Sequence, residues 1–101
     1  MEVEQKLKDL GLELGPVGTP VANFLTTVQT GNLLYVAGHI AGKPDGSVLN
    51  PGKVGRDVTE EEAYESAKLA MLNCLASVKH GLGDLDRVKR VVKLLVMVNA
   101  D

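Results

Sequence analysis

The sequence has 101 residues, which is enough for one domain and too few for two. Apolar residues make up 45% of the chain and charged residues 24%, the balance of a globular protein rather than a disordered one. A formal net charge of −2 and an aromatic content of 3% argue against nucleic acid or an acidic membrane surface as a partner.

The first predicted element is a short amphipathic helix over residues 1–14. Its apolar side chains recur at helical spacing, and Gly15-Pro16 is the predicted stop. The apolar positions are Val3, Leu7, Leu10 and Leu14. Residues 15–23 are rich in glycine and proline, which predicts a loop.

Two strands joined by a tight hairpin follow the loop. Residues 24–30 are rich in β-branched side chains, and residues 33–40 are apolar on both faces. Gly31-Asn32 between them tolerates positive φ, so it predicts a two-residue turn. The register of such a turn sets Phe24 opposite His39, on the same face of the sheet.

An irregular connection over residues 42–57 leads to the clearest helix. Thr59 is a good N-cap, and Glu62 three residues later completes a capping box. Gly81 or Gly83 is the predicted end. The apolar stripe is rich in alanine, which favours close packing on a sheet. It consists of Ala63, Ala67, Ala70, Cys74 and Val78, widened by Met71 and Leu75.

The last predicted element is a strand over Val88–Asn99, after a turn at Asp84-Leu85-Asp86. The strand is apolar on both faces, and such strands are usually buried on both faces. One helix covers one face, and only the short N-terminal helix is left for the other. The pattern therefore predicts subunit association or further sequence.

Few residues offer metal or nucleophilic chemistry. His39, Cys74 and His80 are the candidate metal ligands, but the spacing of Cys74 and His80 puts them on different helix faces, so no metal site is expected. Cys74 is interpreted as a small core side chain. Nucleotide-binding glycine motifs are absent, so no cofactor is expected. The basic cluster after the turn is interpreted as a solvated face, because acidic residues are close by; it comprises Arg87, Lys89, Arg90 and Lys93.

The expected location of the protein follows from the absence of a signal peptide and of a membrane-spanning run in this sequence. The amino-terminal sequence is acidic and polar, unlike a signal peptide. The longest apolar run, Leu94–Val98, is too short to span a bilayer. We therefore expect a cytoplasmic protein without a membrane partner.

His39 is the residue best placed for a site. It lies at the end of the second predicted strand, beside Gly38, and sites are often built where a rigid element meets a loop. Histidine exchanges protons near neutral pH, although the sequence places no carboxylate or nucleophile beside it. A structural histidine with satisfied hydrogen bonds is the alternative interpretation.

These residues together resemble a known family. The run Thr30-Gly31-Asn32-Leu33-Leu34-Tyr35-Val36-Ala37-Gly38-His39-Ile40 resembles the pattern Gly-Asn/Asp-apolar-apolar-x-x-Ser-Gly-Gln-apolar of the Rid/YjgF-like family. Residues 55–88 resemble the helix and turn of that family, and residues 91–99 its next strand. We therefore interpret residues 1–101 as one YjgF-like domain, in which residues 24–101 match the family. Residues 1–14 resemble the extra helix of its branch named for endoribonucleases and chorismate-mutase-like proteins.

The resemblance implies an α/β (α+β) fold, a mixed sheet packed by helices, with later strands and a second long helix outside this chain. It implies homotrimers with a pocket in each cleft between subunits, where reactive enamines and imines are hydrolysed to a 2-keto acid and ammonia. The substrate-binding positions that match are Phe24, Ala37, Gly38 and His39. The family's carboxylate-binding arginine lies on a later strand, and no catalytic residue is assigned because Arg56, Arg87 and Arg90 do not match its motif.

The site departs from the family pattern at three positions. Ala37 stands where the family often has serine, His39 where it often has glutamine, and Phe24 where active members often have tyrosine. Two classes of function therefore stay open: deamination by the intact domain, or a non-catalytic trimer that binds a small ligand or stabilises a protein. Endoribonuclease activity is a third alternative, which the acidic balance and the few aromatic residues disfavour.

Overall fold

The computed structural model describes residues 2–15 and 25–101, so nearly all of the predicted 15–23 loop lies outside the described residues. Helix α1 spans Glu2–Asp9 and is shorter than predicted. It ends early because Gly11, with φ of 75°, adopts the left-handed conformation. The Gly11 N–H donates to the Lys8 carbonyl (3.0 Å) and the Leu12 N–H to the Leu7 carbonyl (2.9 Å). This is the Schellman arrangement, which satisfies the last carbonyls of a helix.

The antiparallel hairpin consists of β1 (Thr27–Thr30) and β2 (Leu33–Val36). Thr30 pairs with Leu33, so Gly31-Asn32 forms the predicted two-residue turn. Gly31 has φ of 60°, a value that glycine adopts without steric cost. Both strands are shorter than predicted, since the chain leaves the ladder after one further bond, from the Ala37 N–H to the Thr26 carbonyl (2.9 Å).

The connection between β2 and the next helix is irregular, as predicted, but it is locally closed. A bridge between Gly42 and Val48 closes the turn, in which the Asp45 carboxylate accepts from the Ser47 N–H (2.9 Å). Ala41 and Val58 at the two ends of the connection are buried. The connection therefore contributes apolar side chains to a small core.

Helix α2 spans Glu60–Leu82 and begins with the predicted capping box. The Thr59 hydroxyl accepts from the Glu62 N–H (3.2 Å), and the Glu62 carboxylate accepts from the Thr59 N–H (3.0 Å). Of the two predicted stops, Gly83 ends the helix, with φ of 85° and its N–H bonded to the Lys79 carbonyl.

The most deeply covered face of α2 is not the predicted alanine stripe. Ala76 and Ser77 are its buried residues, whereas Ala67 and Met71 of the stripe are exposed and its other members are half-buried. The covered face lies about a quarter turn away, because each residue advances roughly 100° around a helix. Polar side chains on that face bond to the connection after β2. These contacts, rather than the apolar pattern of the sequence, decide which face of α2 is buried.

The turn after α2 connects to α1. Leu85–Arg87 forms one 3₁₀ turn at the predicted position, and Leu85 is only 1% exposed. The Asp86 carboxylate accepts from the Glu2 N–H (2.7 Å) and the Val3 N–H (2.8 Å), so it caps the first turn of α1. These bonds dock α1 at the carboxyl end of α2.

The predicted strand Val88–Asn99 belongs to no sheet in this structure. Residues 88–99 contain no helix, turn or bend and join no ladder. Their end meets Val54, whose N–H donates to the Asn99 carbonyl (3.0 Å) and whose carbonyl accepts from the Asp101 N–H (3.0 Å). Every side chain of the segment is exposed, up to 86% at Met97. The prediction that residues 88–99 form a strand of a sheet is wrong for this structure, because no strand of the described chain lies beside the segment.

Among the described residues the architecture is therefore α/β, with two helices and a two-stranded antiparallel sheet. The α/β class predicted from the sequence is confirmed.

Candidate functional site

The candidate site lies where β2 ends. Ala37 and His39 are half-buried, while Gly38 and Ile40 are exposed. The Ala37 N–H is bonded to β1, but the N–H groups of Gly38 and His39 donate to no acceptor in the described part of the chain. Backbone N–H groups require a hydrogen-bond acceptor, so within the described residues these two are available to one.

The His39 ring bridges the strand end and α2. Its Nδ1 atom lies 2.6 Å from the Ala37 carbonyl oxygen, and its Nε2 atom lies 2.7 Å from Ser77 Oγ. Both ring nitrogens are therefore engaged within the protein. The arrangement fits the alternative interpretation of His39, a histidine whose hydrogen bonds are satisfied.

Ser77 is the site residue that sequence reasoning missed. It is 2% exposed and lies on the covered face of α2. A hydroxyl bonded to a histidine, which in turn bonds a carbonyl, has the layout of an activated nucleophile. Here the burial of Ser77 keeps Oγ from any ligand. The sequence signal that could have identified Ser77 is a serine within a long helix, on a face that also carries polar side chains. A buried hydroxyl requires a hydrogen-bond partner, so such a serine indicates a polar contact.

Asn73, one turn before Ser77, holds the chain after the site. Its Nδ2 atom donates to the carbonyls of Ile40 (3.0 Å) and Gly42 (2.9 Å). Residues four apart share one face of a helix, so Asn73 and Ser77 act on the same segment. The face of α2 that carries them fixes residues 37–42 as they leave the strand.

The predicted substrate-binding residues are only partly described. Ala37, Gly38 and His39 are consecutive at the end of β2. Phe24 lies outside the described residues, so its predicted position opposite His39 stays a prediction. The hairpin has the register from which that position was derived, with Thr27 opposite Val36.

The candidate metal ligands and the arginines are engaged elsewhere or exposed. Burial raises the pKa of the Cys74 thiol, and His80 is exposed. Arg56 pairs with Asp57 (3.1 Å), and Arg87 donates to the Leu82 carbonyl (2.8 Å) at the end of α2. The described ranges contain no group of three or more His, Cys, Asp or Glu side chains that could hold a metal ion.

A separate cleft of about 190 Å³ lies on the other side of the connection. Its lining includes Leu69, Leu72 and Asn73 of α2, Pro44, and the Glu13 carboxylate.

Comparison with known proteins agrees with the family resemblance. Residues 4–101 match the family model described as "YjgF/chorismate mutase-like, putative endoribonuclease". The chain belongs to the YjgF/chorismate mutase-like family. The matched range includes most of α1 as well as the hairpin and α2.

Three relatives of this YjgF-like chain illustrate the match. "Protein TCP17" of Trypanosoma cruzi is 36% identical over 98 residues, which is 97% of this chain and 61% of that protein. The crystal structure of a "putative endoribonuclease" from Shewanella oneidensis MR-1 has 33% identity and a TM-score of 0.81, covering 87% of this chain and 58% of its own. The Agrobacterium tumefaciens protein Atu1372, of unknown function, has 41% identity and a TM-score of 0.75, covering 89% and 54%. This chain thus spans less than two thirds of each relative.

In this YjgF-like chain the His39 ring reaches Ser77 on α2 through Nε2, while Nδ1 returns to the Ala37 carbonyl. Ala37 itself brings no hydroxyl to the site. In the described part of this YjgF-like chain, no helix is both long and apolar enough to cross a membrane.

Proposed function

We propose that this YjgF-like protein acts on a small enamine or imine that bears a carboxylate, and that this carboxylate lies against the peptide groups of Gly38 and His39. The N–H groups of these two residues, which donate to no acceptor in the described ranges, carry the proposal. Hydrogen bonds from N–H groups to a carboxylate are charge-assisted and about twice as strong as bonds between neutral groups. The family resemblance supplies the reaction.

The proposed reaction is hydrolysis. The enamine takes up a proton at carbon and becomes an imine, water adds to the imine carbon, and the carbon–nitrogen bond breaks. Ammonia leaves and a 2-keto acid remains. Residues 37–39 contribute binding and orientation to this sequence, while the His39 ring, bonded at both nitrogens, holds the strand end in place. The arginine of active family members has no counterpart in this sequence.

We also propose that the protein assembles as a homotrimer, as the family resemblance implies. The exposed apolar segment 91–98 supports assembly, since monomeric proteins rarely expose such continuous apolar surface. In this proposal the cleft between subunits completes the site beside Gly38 and His39.

A second candidate function is binding without catalysis, in a trimer that senses a small ligand or stabilises a protein. Two observations favour it: Ala37 lacks the hydroxyl common in the family, and the His39 ring is committed to Ala37 and Ser77. The word endoribonuclease in the family description raises a third possibility, but the net charge of −2 disfavours it.

A titration of the ¹⁵N-labelled protein with pyruvate tests the binding site. We expect the amide signals of Gly38 and His39 to shift in proportion to bound pyruvate. The Gly46 amide, which donates to the Lys43 carbonyl within a turn, serves as the internal control and should not move. Unchanged Gly38 and His39 signals at saturating pyruvate would contradict the proposal. Ammonia release from an enamine generated in situ would identify a hydrolase.

A further inference from the structure

We propose that Ser77 is a positioning residue of the site at the end of β2, which holds the His39 ring in one orientation and thereby fixes the peptide groups of Gly38 and His39. The inference rests on the proposed function, because the ligand positioned is the carboxylate proposed above. Ser77 touches no ligand and acts only through His39.

The geometry permits one arrangement of protons on the neutral ring. The Ala37 carbonyl oxygen can only accept, so Nδ1, at 2.6 Å from it, carries the ring proton. A neutral imidazole with a proton on Nδ1 presents a lone pair at Nε2. The Ser77 hydroxyl, at 2.7 Å, is therefore the donor to Nε2. The two contacts together exclude the opposite tautomer.

Burial gives this contact its strength. Ser77 is 2% exposed, so water does not replace its hydroxyl when the hydroxyl is removed. A buried acceptor that loses its donor keeps the full desolvation penalty. Without Ser77, Nε2 finds a new hydrogen-bond donor only if the ring rotates, and rotation breaks the bond to the Ala37 carbonyl.

The ring is one of two attachments between α2 and the site. Asn73 holds the carbonyls of Ile40 and Gly42, while Ser77 holds His39. The exposed peptide groups of Gly38 and His39 lie between β2 and these attachments. Loss of the Ser77 contact leaves them anchored on the strand side and at Ile40 only, so they become mobile.

The experiment compares Ser77→Ala with a matched control, Ser66→Ala. Ser66 lies on the same helix and donates to the Leu49 carbonyl (3.0 Å), so the chemical change is the same while the site is left intact. Three quantities are measured: the ¹⁵N shifts of the His39 ring, amide hydrogen exchange at residues 38 and 39, and the dissociation constant for pyruvate. The shift of Nε2 reports its hydrogen bond to Ser77 directly, which a merely structural role of Ser77 would not alter.

For the wild type and Ser66→Ala we expect a single tautomer with the proton on Nδ1. For Ser77→Ala we expect a changed ¹⁵N shift of Nε2, faster exchange at residues 38 and 39, and pyruvate binding weakened about fivefold, the effect of losing one hydrogen bond. Ser77→Thr keeps the hydroxyl and should keep the wild-type Nε2 shift, so it still tests the proposal if Ser77→Ala does not fold.

The outcomes separate the two proposals. If the Ser77→Ala ring and amide signals match those of the wild type, or if the wild-type ring carries its proton on Nε2, the positioning role is wrong. If Ser77→Ala changes the Nε2 shift and the exchange at residues 38 and 39 but the wild type does not bind pyruvate, the proposed ligand is wrong while the positioning of His39 by Ser77 stands.

Discussion

Gly81 of α2 lies directly against the side chain of Thr27 on β1. A Cβ atom placed on Gly81 would overlap Thr27 Oγ1 and come within 3.3 Å of Thr27 Cβ. The helix and the hairpin therefore approach more closely here than a residue with a side chain would allow. The missing side chain at position 81 sets the distance between them.

Replacing this glycine should loosen the contact. Alanine normally favours a helix by about 1 kcal/mol over glycine, whereas overpacking a well-fitted contact costs about 1–3 kcal/mol. We expect Gly81→Ala to lower the free energy of unfolding by about 1 kcal/mol, the difference between these effects. Urea unfolding followed by circular dichroism measures the change.

The double variant Gly81→Ala, Thr27→Ala should recover most of the loss, because it removes the oxygen that the new Cβ would meet. Gly15→Ala is the control, since a Cβ at that position meets no atom within 4 Å. A Gly81→Ala protein more stable than the wild type would show that the helix shifts freely and that the close approach is not required.

The cap on α1 gives the protein a pH dependence. The N–H groups of Val3 and Glu2 hold the pKa of Asp86 below its ordinary value near 3.8. A carboxyl whose folded pKa is lowered stabilises the fold above its unfolded pKa, and this contribution is lost as the pH falls through the folded value. We expect Asp86→Asn to reduce helicity and stability at pH 7 and to differ little from the wild type once the pH has fallen below the lowered pKa of Asp86.

Asp9→Asn is the matched control for the cap. Asp9 is the last residue of the same helix, and its carboxylate accepts only from Gln5 within that helix (3.0 Å). Its replacement should leave the acid limb of the stability profile unchanged. Equal pH profiles for the wild type and Asp86→Asn would mean that the cap does not hold α1 in solution.

The parts of the fold that the sequence predicted are those set by local chemistry. The turn at Gly31-Asn32 and the capping box of Thr59 and Glu62 depend on residues within four positions of each other. Their side-chain types identify them without knowledge of any distant contact. For the same reason Ala37, Gly38 and His39 could be assigned to the end of a strand.

The parts that it missed depend on contacts between distant residues. Ser77 meets His39 across 38 positions of the chain. The alanine pattern of α2 pointed to a face about a quarter turn from the one that Ser77 and Asn73 occupy. The apolar alternation of residues 88–99 describes a segment suited to a sheet, but a pattern within one segment does not specify its neighbours.

That segment leads to a prediction about association. Residues 91–98 contain one charged side chain, Lys93, and combine high β-propensity with wide exposure, the composition of a strand that pairs with another chain. We expect sedimentation velocity to show that residues 1–101 associate in a concentration-dependent way. Leu95→Lys should shift the distribution toward monomer, because it places a second charge within the exposed segment.

Leu25→Lys is the matched control for association. Leu25 is 73% exposed and Leu95 is 74% exposed, so the two changes add the same charge at equally accessible sites. Leu25 lies outside the apolar segment, and its replacement should leave association unchanged. A stable, well-folded wild-type monomer at every concentration would contradict the prediction.

The last prediction concerns activity. Hydrolysis of a carboxylate-bearing imine requires a group that holds the carboxylate and a water molecule placed at the imine carbon. The two N–H groups at Gly38 and His39 are the donors that this chain offers, while Arg56 and Arg87 are bonded to Asp57 and to the end of α2. Loss of a buried charged contact costs about 2–5 kcal/mol, which is about thirtyfold to several thousandfold in rate. We therefore expect no measurable ammonia release by residues 1–101 from an enamine generated in situ.

The same assay is run on the longer Shewanella oneidensis relative, of which this chain covers 58%. Turnover by residues 1–101 equal to that of the longer protein would contradict the prediction, because it would show that the chemistry does not depend on an arginine from a later strand.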